Sequence, residues 1–459
     1  MLFSSLEFIF LFLPISLCLY YAVPRRYKNF TVFLSGIIFY AFGEIRLLPL
    51  LIVTVLVNFL FGLLIEKFTR RASFRRFLLV TAVIFNLALL AYFKYFDFLR
   101  TALFSLDPIG IALPIGISFY TFQALSYVID VYRGEVSATR SFVSFGAYIA
   151  LFPQLIAGPI VKYSDIERQL KERTESIALF ASGLRLFTLG LAKKMLLANP
   201  AGEAFESFCE SQSYLGALLT LFFFGMQIYF DFSGYSDMAI GLARLFGFEL
   251  NKNFDYPYIS RSVSEFWRRW HISLSSFFKE YLYIPLGGSR RGRARTALNL
   301  AIVWTLTGIW HGAAFGFLLW GAYFAVLLIF EKLFLNKLLM RLPVPLTHCY
   351  TLFFVFLGWL IFATDGVTLT VSEGLSLLSR LFFVGAESFA LRHELYIALG
   401  LVPFALILAL GSTPLPRKIY LWVNKKIPVL SVVLPFASLI ICVAYSVSSG
   451  YNPFLYFRF

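Results

Sequence analysis

The sequence predicts an all-α fold, a polytopic bundle of transmembrane helices. Of its 459 residues, 59% are hydrophobic and only 14% are charged, and the mean hydropathy is +0.78. Many apolar runs are long enough to cross a bilayer, and basic residues gather in the connections between them. This composition excludes an ordinary soluble protein. The net charge of +15 is explained by cytoplasmic loops, so we expect membrane lipids and no nucleic acid as partners.

The first apolar run covers residues 2–23 and is followed, not preceded, by basic residues at 25, 26 and 28. This pattern predicts a retained first span with residues 24–29 in the cytoplasm, and it argues against a cleavable signal peptide. The basic stretch 67–76 predicts the second cytoplasmic turn. Further spans are predicted near residues 30–43, 47–65, 77–96, 109–129, 142–161, 177–198, 214–232, 296–310, 312–330, 347–364, 376–390, 394–411 and 430–448, two or three of them re-entrant or interfacial.

The chain is predicted to form one membrane domain, residues 1–459, with three regions. Residues 1–160 hold the N-terminal spans, 161–330 the polar core and 331–459 the C-terminal spans. Residues 162–175 have the spacing of a short amphipathic interfacial helix. Residues 251–295 carry nine basic residues against three acidic ones, which predicts a cytoplasmic connection.

Polar residues inside so apolar a chain are expensive, and they gather between residues 227 and 311. Asp231 and Asp237 flank the small-residue segment 233–236, which predicts a broken or re-entrant helix that forms a pocket wall. The alternative is that each carboxylate pairs with a nearby arginine or caps a helix.

Aromatic residues recur at helical spacing between residues 265 and 283, which predicts one interfacial helix there. Ser262 and Glu265 resemble a capping box at its start. Trp267, Trp270 and His271 fall on this helix, and Ser273 follows. A histidine in this position is commonly a hydrogen-bonded structural residue, so the spacing alone leaves its role open.

His311 follows Trp310 at the end of an apolar run, where an ionisable residue is a functional candidate. Imidazole titrates near neutral pH, as a general base must. The segment 287–295 combines three glycines with Arg290, Arg291 and two further arginines, so it could hold phosphate groups. Contact with anionic lipid headgroups explains the same charges. The four cysteines show no spacing typical of a metal site or disulfide framework, and no metal is expected.

Several long motifs resemble those of membrane-bound O-acyltransferases, the MBOAT family, in its bacterial alginate O-acetyltransferase branch. The motifs are FDFSGYSDMAIGLARLFGF, NFDYPYIS, EFWRRWHISLSSFFKEYLYIPLGG and GIWHGAAFGFLLWG, with an opening MLFSSLEFIFLFLPI and a closing YNPFLYFRF. The resemblance covers nearly the whole chain. Teichoic acid D-alanyl transfer proteins share the W-x-R-W-H-x-S-L pattern.

The resemblance implies a ring of tilted helices around a central tunnel, in a multi-pass protein of the bacterial inner membrane. It implies an O-acetyltransferase that bears catalytic His311 and His271. It also implies acetyl-CoA as the acyl-donor substrate with no bound cofactor, an extracytoplasmic acetyltransferase or esterase-like partner protein, and a polysaccharide acceptor such as an alginate-like exopolysaccharide or peptidoglycan. The residues expected to bind substrate are Trp310, Asp231, Asp237, Ser273, Trp267, Trp270, Arg290 and Arg291.

Two other classes of protein stay open. A transporter or flippase of acyl groups or glycan intermediates also needs polar residues at bilayer depth. A non-catalytic scaffold that recruits a secreted acyltransferase is the third hypothesis. Inverted repeats, typical of many transporters, are not visible in the sequence.

Overall fold

A computed structural model describes residues 1–364, 368–448 and 454, and every named element in these residues is helical. The predicted all-α polytopic fold is confirmed. The chain forms two compact units: the first contains Met1–Thr188 and Tyr235–Lys252, and the second contains Leu189–Gly234 and Asn253–Phe459. The closing motif at residues 451–459 lies outside the described residues except for Phe454.

The first unit contains the N-terminal helices. Its elements are a π-helical turn Phe8–Phe12, Leu13–Ala22, a 3-10 turn Arg25–Tyr27, Lys28–Glu44, Leu48–Lys67, Ala72–Leu90, a π-helical turn Ala91–Tyr95, Phe96–Phe104, Ile117–Arg133, Phe142–Ile149, Phe152–Leu155, Tyr163–Lys171 and most of Ile177–Ala192. The helix Tyr163–Lys171 buries Tyr163, Ile166 and Leu170 on one side, as the amphipathic spacing of residues 162–175 predicts.

The second unit contains the polar core and the C-terminal helices. Its elements are a π-helical turn Lys193–Ala198, Asn199–Cys209, most of Tyr214–Leu245, a 3-10 turn Pro257–Ile259, Val263–Arg269, Ile272–Phe278, a π-helical turn Lys279–Tyr283, Gly292–His311, Phe315–Phe330, a π-helical turn Glu331–Leu335, Asn336–Leu339, Val344–Ala363, Val371–Leu381, Arg392–Gly411, Leu415–Lys426 and Leu430–Ser448.

Fewer helices can cross a membrane than the apolar runs predict. Within the described residues, seven are long and apolar enough: Leu48–Lys67, Ala72–Phe104, Tyr214–Leu245, Phe315–Leu339, Val344–Ala363, Arg392–Gly411 and Leu430–Ser448. The predicted span 142–161 is wrong, because the chain leaves the helical conformation at Leu151, with φ −58° and ψ 100°, and divides into two short helices. The predicted span 376–390 is also wrong, since its helix ends at Leu381.

The predicted helix break beside Asp231 and Asp237 is wrong. Tyr214–Leu245 is a continuous helix of 32 residues that includes the segment 233–236. The small residues there permit close packing instead: a Cβ on Gly234 would lie 2.8 Å from the carbonyl oxygen of Gly190.

The predicted single helix over residues 265–283 is also wrong, because it is divided at His271. Val263–Arg269 and Ile272–Phe278 are separate helices, and His271 has φ 44° and ψ 55°, in the left-handed region. Such a conformation is uncommon for a residue other than glycine and breaks helical continuity. Ser262 caps the first helix by accepting from the backbone N–H of Glu265, although the Glu265 carboxylate accepts from Arg261 rather than from Ser262.

Basic residues of the second unit stand at alternate connections between its long helices. They occupy the turn before Gly292–His311, the segment after Phe315–Phe330 and the short helix Leu415–Lys426. The positive-inside rule assigns these connections to the cytoplasm.

Candidate active site

His311 is the last residue of the helix Gly292–His311, which ends where Gly312 adopts an extended conformation. The side chain is buried, with 6% of its surface exposed. Its ring centroid lies 5.0 Å from that of Trp320 and 5.3 Å from that of Phe362, both nearly perpendicular to it. Two bulky aromatic side chains thus restrict the orientation of the imidazole.

Close helix packing fixes the position of this histidine. A Cβ on Gly308 would collide with the carbonyl oxygen of Phe317 and lie 3.0 Å from the Cα of Gly321. Only glycine allows the backbones of Gly292–His311 and Phe315–Phe330 to approach so closely. The approach occurs one helical turn before His311, so it determines where the imidazole lies.

His271 is held by a polar cluster on one side of its ring. Its Nδ1 lies 3.1 Å from Oδ1 of Asn253 and 3.4 Å from Oγ of Ser273. The ring also packs edge-on against Phe232, with centroids 4.7 Å apart. His271 is 1% exposed, and this burial lowers its pKa below the ordinary value, so the neutral form predominates at physiological pH.

The two histidines line a single cavity of about 360 Å³ in the second unit. Trp267 and Trp270, two of the predicted substrate-binding residues, also line it. Its walls are mainly aromatic and aliphatic: Ile228, Phe232, Leu274, Phe278, Tyr283, Leu300, Val303, Trp304, Trp320, Leu328, Trp359 and Phe362. An apolar cavity with a few polar groups has the character of a small-molecule site.

Trp267 and Trp320 contribute hydrogen-bond donors as well as apolar surface. Their ring centroids are 5.4 Å apart, and both rings pack against Trp304. Both indole Nε1 atoms are buried, and neither has a hydrogen-bond partner within the described residues. A buried donor without an acceptor is costly, and such groups are commonly satisfied by a ligand or water.

Three basic residues that were not among the predicted site residues line the cavity. Arg268, Lys279 and Lys332 are exposed residues on its boundary. Lys332 donates to the hydroxyl of Tyr283 at 3.0 Å. Lys279, Tyr283 and Lys332 all lie in π-helical turns, a feature frequent at functional sites. The π-helical turns were not recognisable in the sequence.

Glu331 is a further residue that the sequence did not indicate. It is 2% exposed and accepts from the backbone N–H of Val263 at 2.6 Å and from the backbone N–H of Ser264 at 2.8 Å. The Ser264 hydroxyl donates to it at 2.6 Å. A carboxylate at this end of a helix satisfies free N–H groups and complements the helix dipole. Glu331 thus anchors the helix that carries Trp267 and leads to His271.

Other predicted site residues lie outside the cavity lining. Asp231 forms a buried ion pair with Lys194, with 2.6 Å between Oδ1 and Nζ. Ser273 donates its hydroxyl to Asn253 at 2.9 Å. Trp310 is buried with its ring 6.2 Å from that of His271, and Asp237 belongs to the first unit.

Arg290 and Arg291 are exposed in the turn before Gly292–His311 and do not line the cavity. The side-chain amide of Asn299 donates to the carbonyl oxygen of Gly288 at 2.8 Å and so holds this turn. Metal binding has no candidate in the part of the chain that the structure describes, since no three His, Cys, Asp or Glu residues form a suitable group there.

Comparison with known proteins identifies the family. The model of the membrane-bound O-acyltransferase family matches residues 133–372. The "Probable alginate O-acetylase AlgI" of Pseudomonas aeruginosa is 40% identical over 382 residues, which cover 80% of this chain and 73% of that protein. The "Peptidoglycan O-acetyltransferase" of Helicobacter pylori is 35% identical over 79% of this chain and 77% of its own length.

A more distant relative is the "Teichoic acid D-alanyltransferase" of Bacillus subtilis, which is 27% identical over 54% of this chain and 68% of its own length. The matched family region includes both histidines and every residue that lines the cavity. The chain therefore belongs to the membrane-bound O-acyltransferase family and is an acyltransferase of the bacterial inner membrane that crosses the bilayer several times.

Proposed function

We propose that this acyltransferase moves an acetyl group from acetyl-CoA, in the cytoplasm, to hydroxyl groups of an extracytoplasmic polysaccharide. The names of the relatives support an alginate-like exopolysaccharide or peptidoglycan as the acceptor. The observation that carries the proposal is that His271 and His311 are both buried and line one cavity in the second unit.

In the proposed reaction, His311 is the general base. Its imidazole removes the proton from the acceptor hydroxyl as that oxygen attacks the thioester carbonyl carbon. A carbon–oxygen bond forms and the carbon–sulfur bond breaks, and the proton then passes from His311 to the leaving thiolate. The products are an O-acetyl ester and free CoA thiol, so His311 returns to its neutral form.

The indole N–H groups of Trp267 and Trp320 are suited to stabilise the negative charge that develops on the carbonyl oxygen. Both are buried, and neither has an acceptor among the described residues. Fixed donors in a site with little water stabilise such charge without reorganising during the reaction. The ring of Trp320 also contacts that of His311, so a bound carbonyl near it would lie close to the proposed base.

The cations on the cavity boundary are better placed to hold the donor phosphates than the arginine turn, the segment 287–295 that the sequence predicted for this role. Arg268, Lys279 and Lys332 line the cavity, whereas Arg290 and Arg291 do not. Lys332 follows the helix Phe315–Phe330 at one of the basic connections that the positive-inside rule assigns to the cytoplasm. We therefore propose that the donor enters along these three residues.

A comparison of two double variants tests this placement. Lys279→Ala with Lys332→Ala should raise the KM for acetyl-CoA about tenfold or more and change kcat little, because the lost contacts bind the donor equally in the ground and transition states. Arg290→Ala with Arg291→Ala should leave the KM within about twofold. The reverse result would restore the arginine turn as the phosphate site.

The reaction itself can be tested with purified protein in liposomes. The polysaccharide acceptor is enclosed in the liposomes and acetyl-CoA is added outside, and release of CoA thiol and formation of O-acetyl ester are measured together. Protein that exposes its cytoplasmic side outward should release thiol in proportion to ester. As the alternative route we propose that an esterase-like extracytoplasmic partner receives the acetyl group first and passes it to the polysaccharide, so the assay is repeated with candidate partner proteins. Movement of intact acyl compounds without thiol release would instead identify a transporter.

A further inference from the structure

Asn253 is in contact with His271 and was not among the predicted site residues. It is 1% exposed and precedes Phe254 in the NFDYPYIS motif. Two backbone hydrogen bonds align its segment with the chain around His271: the Ile272 N–H donates to the Asn253 carbonyl at 2.9 Å, and the Asp255 N–H donates to the Arg269 carbonyl at 2.9 Å. The asparagine side chain is therefore fixed relative to the imidazole.

The orientation of the Asn253 amide follows from its contact with Ser273. The backbone N–H of Ser273 lies 3.2 Å from the side-chain Oδ1 of Asn253. A backbone N–H can only donate, so the atom that faces it must be the amide oxygen and not the amide nitrogen. The Ser273 hydroxyl donates to the same oxygen at 2.9 Å. Exchanging the oxygen and nitrogen would place the amide NH₂ group of Asn253 against the N–H and O–H donors of Ser273.

The amide oxygen in turn determines which nitrogen of His271 bears hydrogen. Nδ1 of His271 lies 3.1 Å from this oxygen, which can only accept. Nδ1 must therefore carry the proton, and a neutral imidazole has only one N–H. The lone pair is then on Nε2. The Ser273 hydroxyl oxygen, 3.4 Å from Nδ1, is compatible with this arrangement because its own hydrogen is directed to Asn253.

We propose that Asn253 is a positioning residue that holds His271 in the Nδ1–H tautomer, so that Nε2 acts as a hydrogen-bond acceptor for the substrate. This inference rests on the proposed function only for the identity of the substrate. It excludes neutral His271 as a hydrogen-bond donor through Nε2 to the developing oxyanion. His271 instead accepts a hydrogen bond from a substrate group other than the hydroxyl that His311 deprotonates. The His271 backbone is in the left-handed region, with φ 44°.

Nitrogen-15 NMR of the histidine rings tests the tautomer directly in the full-length protein. The chain has four histidines, so the His271 signals are assigned by their loss in His271→Gln. In the wild type, Nδ1 should show the signal of a protonated nitrogen and Nε2 that of an unprotonated one. The opposite pattern would overturn the proposal without any variant at Asn253, and it would do so whether or not acetyl transfer is observed.

Variants at Asn253 test the positioning role. Asn253→Ala should allow the Nε2–H tautomer and lower kcat on the order of 100-fold, with the KM for acetyl-CoA changed less than about threefold. Asn253→Asp keeps an acceptor at Nδ1, so it should retain the Nδ1–H signal and recover part of kcat. The exposed Asn336→Ala is the matched control and should behave as wild type.

Each outcome bears on a separate claim. If Asn253→Ala retains the wild-type tautomer, Asn253 does not select it and the proposal is wrong. If Asn253→Ala does not fold, the wild-type spectrum and Asn253→Asp still decide the matter. If the tautomer is as expected but wild-type protein transfers no acetyl group from acetyl-CoA, the donor assignment under the proposed function fails and the role of Asn253 stands.

Discussion

Removal of the Asp231 carboxylate should destabilise the second unit. Asp231 and Lys194 are both buried, and their charged atoms are 2.6 Å apart. Asp231→Asn removes the carboxylate charge that lies 2.6 Å from the buried Lys194 ammonium. Breaking a buried ion pair by removing one charge commonly costs about 3–5 kcal/mol. We expect a loss of that order in the free energy of unfolding.

The same contact predicts what a double variant should do. Lys194→Met with Asp231→Leu removes both charges and keeps similar volumes, so no buried charge loses the contact that it has in the wild type. Most of the stability lost in Asp231→Asn should return. Phe232, the next residue, packs against His271, so the single variant should also lower activity and the double variant should recover part of it.

The assay is titration of purified protein in mixed micelles with a denaturing detergent, followed by circular dichroism. Glu206→Gln is the control, because Glu206 is an exposed acidic residue on the helix Asn199–Cys209. Removal of an exposed charge usually changes stability by less than about 0.5 kcal/mol. If Asp231→Asn lost no more than Glu206→Gln, the ion pair would not stabilise this unit and the reasoning would be refuted.

Three further variants test contacts around the cavity. Glu331→Gln weakens the hydrogen bonds from the backbone N–H groups of Val263 and Ser264, and it should lower the free energy of unfolding by about 1–3 kcal/mol in the same detergent titration. An unchanged midpoint of unfolding would contradict the anchoring role of Glu331. Gly308→Ala should reduce the yield of folded protein measured by gel filtration, whereas Gly400→Ala, where a Cβ meets nothing within 4 Å, should not; equal yields would argue against close packing. Trp320→Phe should lower kcat about tenfold or more with little change in KM, and unchanged kcat would remove this indole from the oxyanion role.

The sequence predicted the class of fold because composition determines it. A chain this apolar must satisfy its backbone hydrogen bonds internally, and helices do so within each segment. The number of spans was harder to predict from the same residues. Apolar runs such as 142–161 are equally compatible with a span and with short buried helices, and hydropathy does not distinguish lipid from protein as the surrounding medium.

The histidines could be located in the sequence, but their surroundings could not. His311 is unusual at the end of an apolar run, and that signal is local. Asn253, Glu331 and Lys332 act through contacts with residues distant in the sequence, so neither periodicity nor spacing indicates them. The segment 233–236 led to the wrong prediction of a helix break, because glycine and serine are typical of both helix breaks and close helix packing. The residues that pack against the segment decide between the two.

The rate of acetyl transfer by His311→Ala tests the central claim most directly. Wild type and variant are purified at matched folded amounts, and ester formation on the polysaccharide is measured at saturating acetyl-CoA. The proposed general base predicts a loss of about 10²- to 10⁴-fold in kcat, with binding of acetyl-CoA retained. Transfer at the wild-type rate by folded His311→Ala would contradict the mechanism.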